Sequence, residues 1–405
     1  MTSTPFRNGR IAFALLAILT AANVAARPVS IVASHELPIA RPAEMIAVHW
    51  SQLIQALPGA TVQKLIVKDA AGHVLPYQVT NPDYDAKGIK PGFADLLFQH
   101  DFAAGERSAT FTVEQSPTVV APFPAKTYAR FVPERLDDFA WENDRIGHRA
   151  YGPALSSPDV DGIGKEVLTA SGIDVWVKRV RYPVIDRWYG RGNYHQDVGE
   201  GFDMYKTGAT RGTGGTGIWD GKRLHVSANF ISWKIIANGP LRTIFELAYA
   251  PWDANGVKVA ETKRFTVDAG HNLDLVESSF RFSGPESLVV ALGITRNSTE
   301  KGQFAGDAAV FRESADHTLV QWEVETTNGG LGVALIVPDD FSGYAADPGN
   351  QLILATVKPG RPLRYLAGAG WTLSGDFPSR QDWIDYVRAA AARARAPLTI
   401  TLSTP

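Results

Sequence analysis

Between Tyr194 and Gly215 the chain reads YHQDVGEGFDMYKTGATRGTGG. Tyr194, His195, Asp197, Glu200, Asp203, Tyr205, Lys206 and Arg211 all fall in this one stretch, spaced by glycines. A glycine-rich backbone can turn several ionisable groups toward one point, and rigid scaffolds carry much of their chemistry on such loops. His195 is the first choice as acid or base, because an ordinary imidazole titrates near neutrality. Tyr194 and Tyr205 are further proton-transfer candidates. Arg211 is a candidate anion holder, and Asp197, Glu200, Asp203 and the nearby Trp219 complete a binding surface. A loop that only joins strands needs the glycines but not this set of acids, bases and cations. Nucleotide binding by RGTGGTG is disfavoured, since a phosphate-cradling loop opens a helix and ends in Lys-Ser/Thr, whereas these glycines run into Trp219 and a turn at Asp220-Gly221.

A second dense stretch is WENDRIGHRAYGP, from Trp141 to Pro153. If it is a strand, Glu142, Asp144, Ile146 and His148 share one face, with Asn143, Arg145, Gly147 and Arg149 on the other. Arg145 and Asn143 could hold a carboxylate, which suits the planar fork of arginine. A uronic acid is a natural ligand for such a set. Abstracting a proton from a carbon activated by a carboxylate becomes feasible when a cation neutralises the charge that develops. A His or Tyr then serves as base, and a second such group protonates the departing oxygen. His195, Tyr194, Tyr205 and His148 fit those roles, with Arg145, Arg211, Glu142 and Asn143 around the substrate.

Three other readings use the same residues. Glu142 or Asp144 paired with Glu200 or Asp203 could be the two carboxylates of a glycoside hydrolase. The aromatics could serve a sugar-binding protein without catalysis. His195, Asp197, Glu200 and Asp203 could hold Ca²⁺, though their spacing matches neither an EF-hand loop nor a HExxH helix, so no cofactor or metal is assigned.

The scaffold that must position these groups is a chain of 405 residues with a formal net charge of −2 and no cysteine. The absence of Cys excludes disulfides and thiolate metal sites. No cluster of Lys and Arg suggests a nucleic-acid footprint. Met1 to Ala26 has basic Arg7 and Arg10, an apolar run from Ile11 to Leu19, and small residues up to Ala26. That is the pattern of a secretory signal, which predicts a periplasmic or secreted protein cleaved near Ala26. The run is too short to span a bilayer, so no membrane insertion is expected. Ten Trp and twelve Tyr could stack on the rings of an oligosaccharide partner. Oligomeric state is left open.

Val29–Val32, Thr61–Val67, Val74–Val79 and Ala109–Glu114 read as strands of a small β domain over 27–120, followed by a Pro-rich linker at 121–127. From 128 to 405 period-two alternation dominates, as in Ile173, Val175 and Val177 or Leu241, Thr243, Phe245, Leu247 and Tyr249. Asn255-Gly256 marks a hairpin. One helix is predicted after Ser379, with Trp383, Ile384, Val387 and Ala391 on one face and Pro397 as its stop. The fold class is therefore mainly β: a small N-terminal β-sandwich, then a large β-supersandwich like those of galactose mutarotases and polysaccharide lyases, with one C-terminal helix. The larger unit exceeds an immunoglobulin-type sandwich, and the comparison with mutarotases and lyases is analogy.

WENDR (141–145), YGPAL (151–155), GIDVW (172–176), the 194–215 stretch, GPLRTIFELAY (239–249) and GAGW (368–371) together resemble a bacterial family known as domain of unknown function 4861. The resemblance covers about Tyr128 to the C-terminus, and a small β unit in front is usual for it. It implies an exported enzyme of polysaccharide degradation. One branch of the family is an oligosaccharide dehydratase that removes water from the unsaturated uronyl end left on ulvan fragments by a lyase.

Overall fold

A computed structural model describes residues 27–80, 93–160, 162, 164–296, 308–325 and 327–403, with backbone also at 84–85 and 88–89. The segment read as an export signal, 1–26, lies outside the described residues.

Val29–Ser34 buries Val29, Ile31 and Ala33 and turns the intervening residues outward, the period of a strand with one covered face. It pairs antiparallel with Ser108–Gln115, whose other edge takes Leu65–Lys68. Arg41–His49, Asp95–Phe102 and Tyr77–Val79 form a second sheet. Ile46, Val48, Phe98 and Phe111 meet between the two in one apolar core. The single strand expected through Val74–Val79 is divided at Pro76, which has no N–H to give a ladder. Val74–Leu75 stays with the first sheet and Tyr77–Val79 joins the second. The last strand, Thr399–Ser403, falls within the stretch assigned by sequence to the large unit. Its hydrogen bonds run instead to Val29–Ser34, so the C-terminus closes the small sheet.

The large unit is a sandwich of unequal layers. One layer is an eight-stranded sheet that includes the hairpin of Arg242–Ala254 and Val257–Asp268. Asn255 and Gly256 at its tip are both left-handed, at φ 55° and 87°, the geometry that favours Asn-Gly there. Opposite lie two five-stranded sheets, one running from Tyr128–Val132 to Gly201–Asp203 and the other built on Thr213–Trp219, Leu288–Thr295 and Asn350–Val357. A parallel bridge between Ile173 and Gly212 joins these two sheets. Phe139, Trp141, Val175, Phe245, Phe265, Leu292 and Ile353 from all three sheets share one core. The expected supersandwich is thus present.

Arg380–Arg395 is the expected C-terminal helix, and the Ser379/Asp382 capping box forms. Trp383, Ile384, Val387 and Ala391 lie against Val320, Ala334 and Ile336 on the outer face of the large sheet. Trp383 reaches that sheet only because position 332 is glycine, where a Cβ would stand 2.3 Å from the indole. Shorter helices also form at Trp50–Ala56 and Ile185–Arg191, which apolar periodicity alone does not reveal in segments of this length.

Candidate active site

The stretch 141–150 is a hairpin rather than one strand. Asp138–Glu142 pairs with Ile146–Ala150 across a turn held by Asn143, whose Oδ1 accepts from the N–H groups of Arg145 and Ile146 at 2.8 and 3.0 Å. Ile146–Ala150 then pairs with Ile173–Lys178, and the latter with Gly201–Asp203, so Arg149 sits opposite Asp174 while Trp176 sits opposite Asp203.

This register assembles a buried ionic cluster. Arg149 Nη2 lies 2.6 Å from Asp174 Oδ2 and 3.1 Å from Asp203 Oδ2, and Nη1 is 3.9 Å from Asp138 Oδ2. Burial works against the Arg149 charge, but the carboxylates of Asp174 and Asp203 outweigh it and raise its pKa. Burial raises Asp138 to about 7, with Arg149 opposing. Asp203 is also pushed well above the usual carboxylate range, by burial and then by the negative charge of Asp174. Three acids facing one guanidinium hold protons more readily than free carboxylates do.

Above this cluster opens a cavity of about 490 Å³. Its lining includes Arg135, Arg149, Tyr151, Glu166, His195 and Lys206. His195 is exposed, and its Nδ1 stands 3.4 Å from Asp203 Oδ2. Partial burial, reinforced by the Arg149 charge, lowers the His195 pKa below 6.5, so the imidazole is neutral at neutral pH and can accept a proton. Tyr194 lies behind the lining residues Arg135 and Arg149. Its ring stacks on Trp176 at 5.1 Å, and its hydroxyl oxygen accepts from Arg135 Nε at 3.0 Å and Arg149 Nη1 at 3.2 Å. Burial keeps the Tyr151 phenol protonated by raising its pKa.

Of the residues singled out by sequence, the structure brings His195, Asp203 and Tyr205 to the cavity lining, with Tyr194 behind it on Arg135 and Arg149. Tyr205 contributes a buried ring, but its hydroxyl donates to Gly212 O at 3.0 Å and accepts from Thr295 N at 3.2 Å, so it is committed to the backbone. The others take up structural positions. Glu142 is buried, binds Lys178 Nζ at 2.5 Å, and accepts from the N–H groups of Val184 and Ile185 at the start of Ile185–Arg191. Asn143 donates to Asp268 O and His271 O. Asp144 accepts from Gly270 N at 2.6 Å, and neither it nor Glu142 lines the cavity. Arg145 pairs with Asp376 at 2.5 Å, beside Arg181. His148 is buried on the opposite strand face from Arg149, stacks on Trp141, and is depressed by burial to about 4.

Arg211 is also buried. It donates to Ser171 Oγ at 2.7 Å and to two carbonyls, and burial lowers its pKa to about 10. Its guanidinium is structural rather than a substrate clamp. Asp197 binds Arg179 and the N–H groups of Gly199 and Gly201. Glu200 accepts from Tyr182 Oη at 2.7 Å and Trp188 Nε1 at 3.1 Å and pairs with Arg187 at 2.6 Å. Trp219 ends its strand opposite Leu224. The carboxylates considered for Ca²⁺ therefore face different partners, and among the described residues no group of three or more His, Asp or Glu is set to hold a metal ion.

Arg135, Tyr151, Asp138, Asp174 and Glu166 were not singled out by sequence. The sequence offered Asp174 inside the otherwise apolar run IDVWV, and the structure shows it and Arg149 on strands whose every residue is buried. Ionised side chains are almost never buried unless paired.

The profile of the family described as "Domain of unknown function (DUF4861)" matches residues 33–400. The chain belongs to the DUF4861 family. A relative in Formosa agariphila, named Uncharacterized protein P7, is 30% identical over 387 residues, covering 92% of this chain and 93% of that one. Among solved structures, an alpha-mannosidase from Enterococcus faecalis V583 superposes with a TM-score of 0.47 at 10% identity, over 93% of this DUF4861 chain and 46% of that one. A protein of glycosyl hydrolase family 38 from Enterococcus faecalis gives the same TM-score of 0.47 and identity of 10%, over 93% and 47%. The chain spans about half the length of these two structures.

Proposed function

We propose that this DUF4861 protein is an exported sugar-processing enzyme that removes water from a uronyl residue of an oligosaccharide. The observation that carries the reading is His195: a neutral, solvent-reachable imidazole backed by Asp203, at the rim of a cavity whose lining also supplies Arg135, Lys206 and the protonated Tyr151.

In this reading Arg135 and Lys206 bind the substrate carboxylate. His195 takes a proton from a carbon that the carboxylate activates, adjacent to it or one double bond away. The electron pair moves toward the carboxylate, a new C=C forms, and the bond to a hydroxyl group breaks. Tyr151 supplies the proton with which that hydroxyl leaves as water. Cations fixed in a partly dry site favour this step because they meet charge where it develops, with little reorganisation. Asp203 Oδ2, 3.4 Å from Nδ1, lies on that side of the imidazole, and Nε2 is the nitrogen that takes the proton in this reading.

Replacing His195 with Ala tests the assignment. It should reduce turnover of an unsaturated uronyl oligosaccharide by at least about 10²-fold, within the range for loss of a general base, with the circular dichroism spectrum unchanged. Undiminished turnover would remove His195 from the mechanism.

A further inference from the structure

The cavity carries its own carboxylate. Glu166 Oε2 lies 2.6 Å from Arg135 Nη2, and both residues line the pocket. The two partners are held very differently. Arg135 is 23% exposed and braced through Nε by Tyr194, which is itself gripped by Arg149 and stacked on Trp176. Its backbone is fixed as well. Leu136 and Asp137, the next two residues, are both left-handed at φ 53° and 66°, a conformation that non-glycine residues keep only when their surroundings impose it. Gly152 is what allows this, since a Cβ there would stand 1.9 Å from Asp137 O.

Glu166, by contrast, has a side chain 55% exposed and comes from the stretch between Ser156 and Ile173, whose described residues form no helix or strand. The backbone on either side is anchored. Lys165 N donates to Asp159 Oδ2 at 3.2 Å, and Leu168 N donates to Leu155 O at 3.0 Å. Moving the Glu166 carboxylate off Arg135 therefore requires side-chain rotation only.

We infer that Glu166 is a built-in stand-in for the substrate carboxylate, seated on Arg135 until a uronate displaces it. This rests on the uronyl reading above and deepens it by naming the residue pair that sets selectivity. A carboxylated sugar replaces Glu166 like for like on a fixed guanidinium. A neutral sugar has nothing with which to compensate Arg135 and leaves the pair in place. Competition by Glu166 lowers the apparent affinity for every uronate by the fraction of time it occupies Arg135.

The test is equilibrium binding by isothermal titration calorimetry at low ionic strength, using glucuronate and glucose with the mature full chain, Glu166→Ala, Arg135→Gln and the double variant. Binding needs no turnover, so a protein that prefers uronate but dehydrates nothing would refute the dehydratase reading and leave this inference standing. The expected result is preference for glucuronate in the wild type, about fivefold tighter glucuronate binding in Glu166→Ala, unchanged glucose binding, and no gain from removing Glu166 once Arg135 is Gln. An exposed ion pair supports a gain of that order, which should shrink with added salt. The inference is overturned if neither the wild type nor Glu166→Ala prefers glucuronate, if Glu166→Ala fails to tighten it, if both sugars gain alike, or if the gain persists in the Arg135→Gln background. Glu166→Gln, close to the wild type in shape, should reproduce the Ala result. If it does not, the effect belongs to packing and the inference falls.

Discussion

Arg149 Nη2 stands 3.1 Å from Asp203 Oδ2, and that same oxygen is 3.4 Å from His195 Nδ1. One buried carboxylate thus joins the exposed imidazole to the charged cluster beneath it. Replacing Arg149 with Met would leave Asp138, Asp174 and Asp203 buried without their common cation. Removing one partner of a buried ion pair typically costs about 3–5 kcal/mol. Urea denaturation at pH 7 should show a loss of that order, smaller at pH 5 where the acids can take up protons. A loss below about 1 kcal/mol, well under that range, would mean the cluster is not held by Arg149.

His195 must be neutral to act as base. Its pKa is lowered by partial burial and the Arg149 charge, so the acid limb of kcat/KM should rise with pH and bend below 6.5. His195→Ala should abolish that limb in whatever activity remains. An inflection above 6.5 that survives in the variant would assign the limb to another group.

Asp274 affects stability rather than the site. Burial raises it to about 7, while its Oδ2 accepts from Trp141 Nε1 at 2.8 Å and lies 3.7 Å from His148 Nε2. The folded protein therefore binds a proton at this carboxyl between about 4 and 7, where an unfolded Asp would have lost it. Its contribution to stability is present at the acid end of that window and is lost as pH rises through 7. His148, depressed to about 4, acts in the opposite sense and contributes stability that is lost as pH falls toward 4. Asp274→Asn should flatten the decline in urea midpoint between pH 5 and pH 8. An unchanged slope would show that Asp274 ionises normally.

Glu142 separates a binding role from a structural one. Glu142→Gln should weaken the buried contact with Lys178 and the cap on Ile185–Arg191, lowering stability by about 3 kcal/mol, the lower end for disrupting a buried pair. Substrate KM in the folded fraction should not move. A raised KM with unchanged stability would return Glu142 to the binding surface.

Period-two alternation made the large sandwich legible, Asn255-Gly256 marked its longest hairpin, and Ser379 with Asp382 marked its helix. The dense 194–215 stretch holds His195 and Asp203, which line the cavity, but also Asp197, Glu200 and Arg211, whose partners are structural, so the density of ionisable groups did not separate the two kinds. Residue type could not reveal direction. Arg211 and Arg149 look alike in the sequence, yet one is enclosed by Ser171 and carbonyls while the other faces three carboxylates across strands. Arg135 and Glu166 lie 31 residues apart, with no local pattern to join them, so their pairing emerges only from the fold.

Loss of water without chain cleavage is what separates a dehydratase from a hydrolase here. Mass spectrometry of lyase-generated unsaturated uronyl oligosaccharides, incubated with the mature protein or with His195→Ala, tests it directly. The wild type should give one product lighter by a single water, and the variant should leave the substrate unchanged. Two smaller fragments that together gain one water would contradict dehydration in favour of hydrolysis. Unchanged masses on ulvan, pectin and glycosaminoglycan series alike would contradict catalysis on uronyl ends.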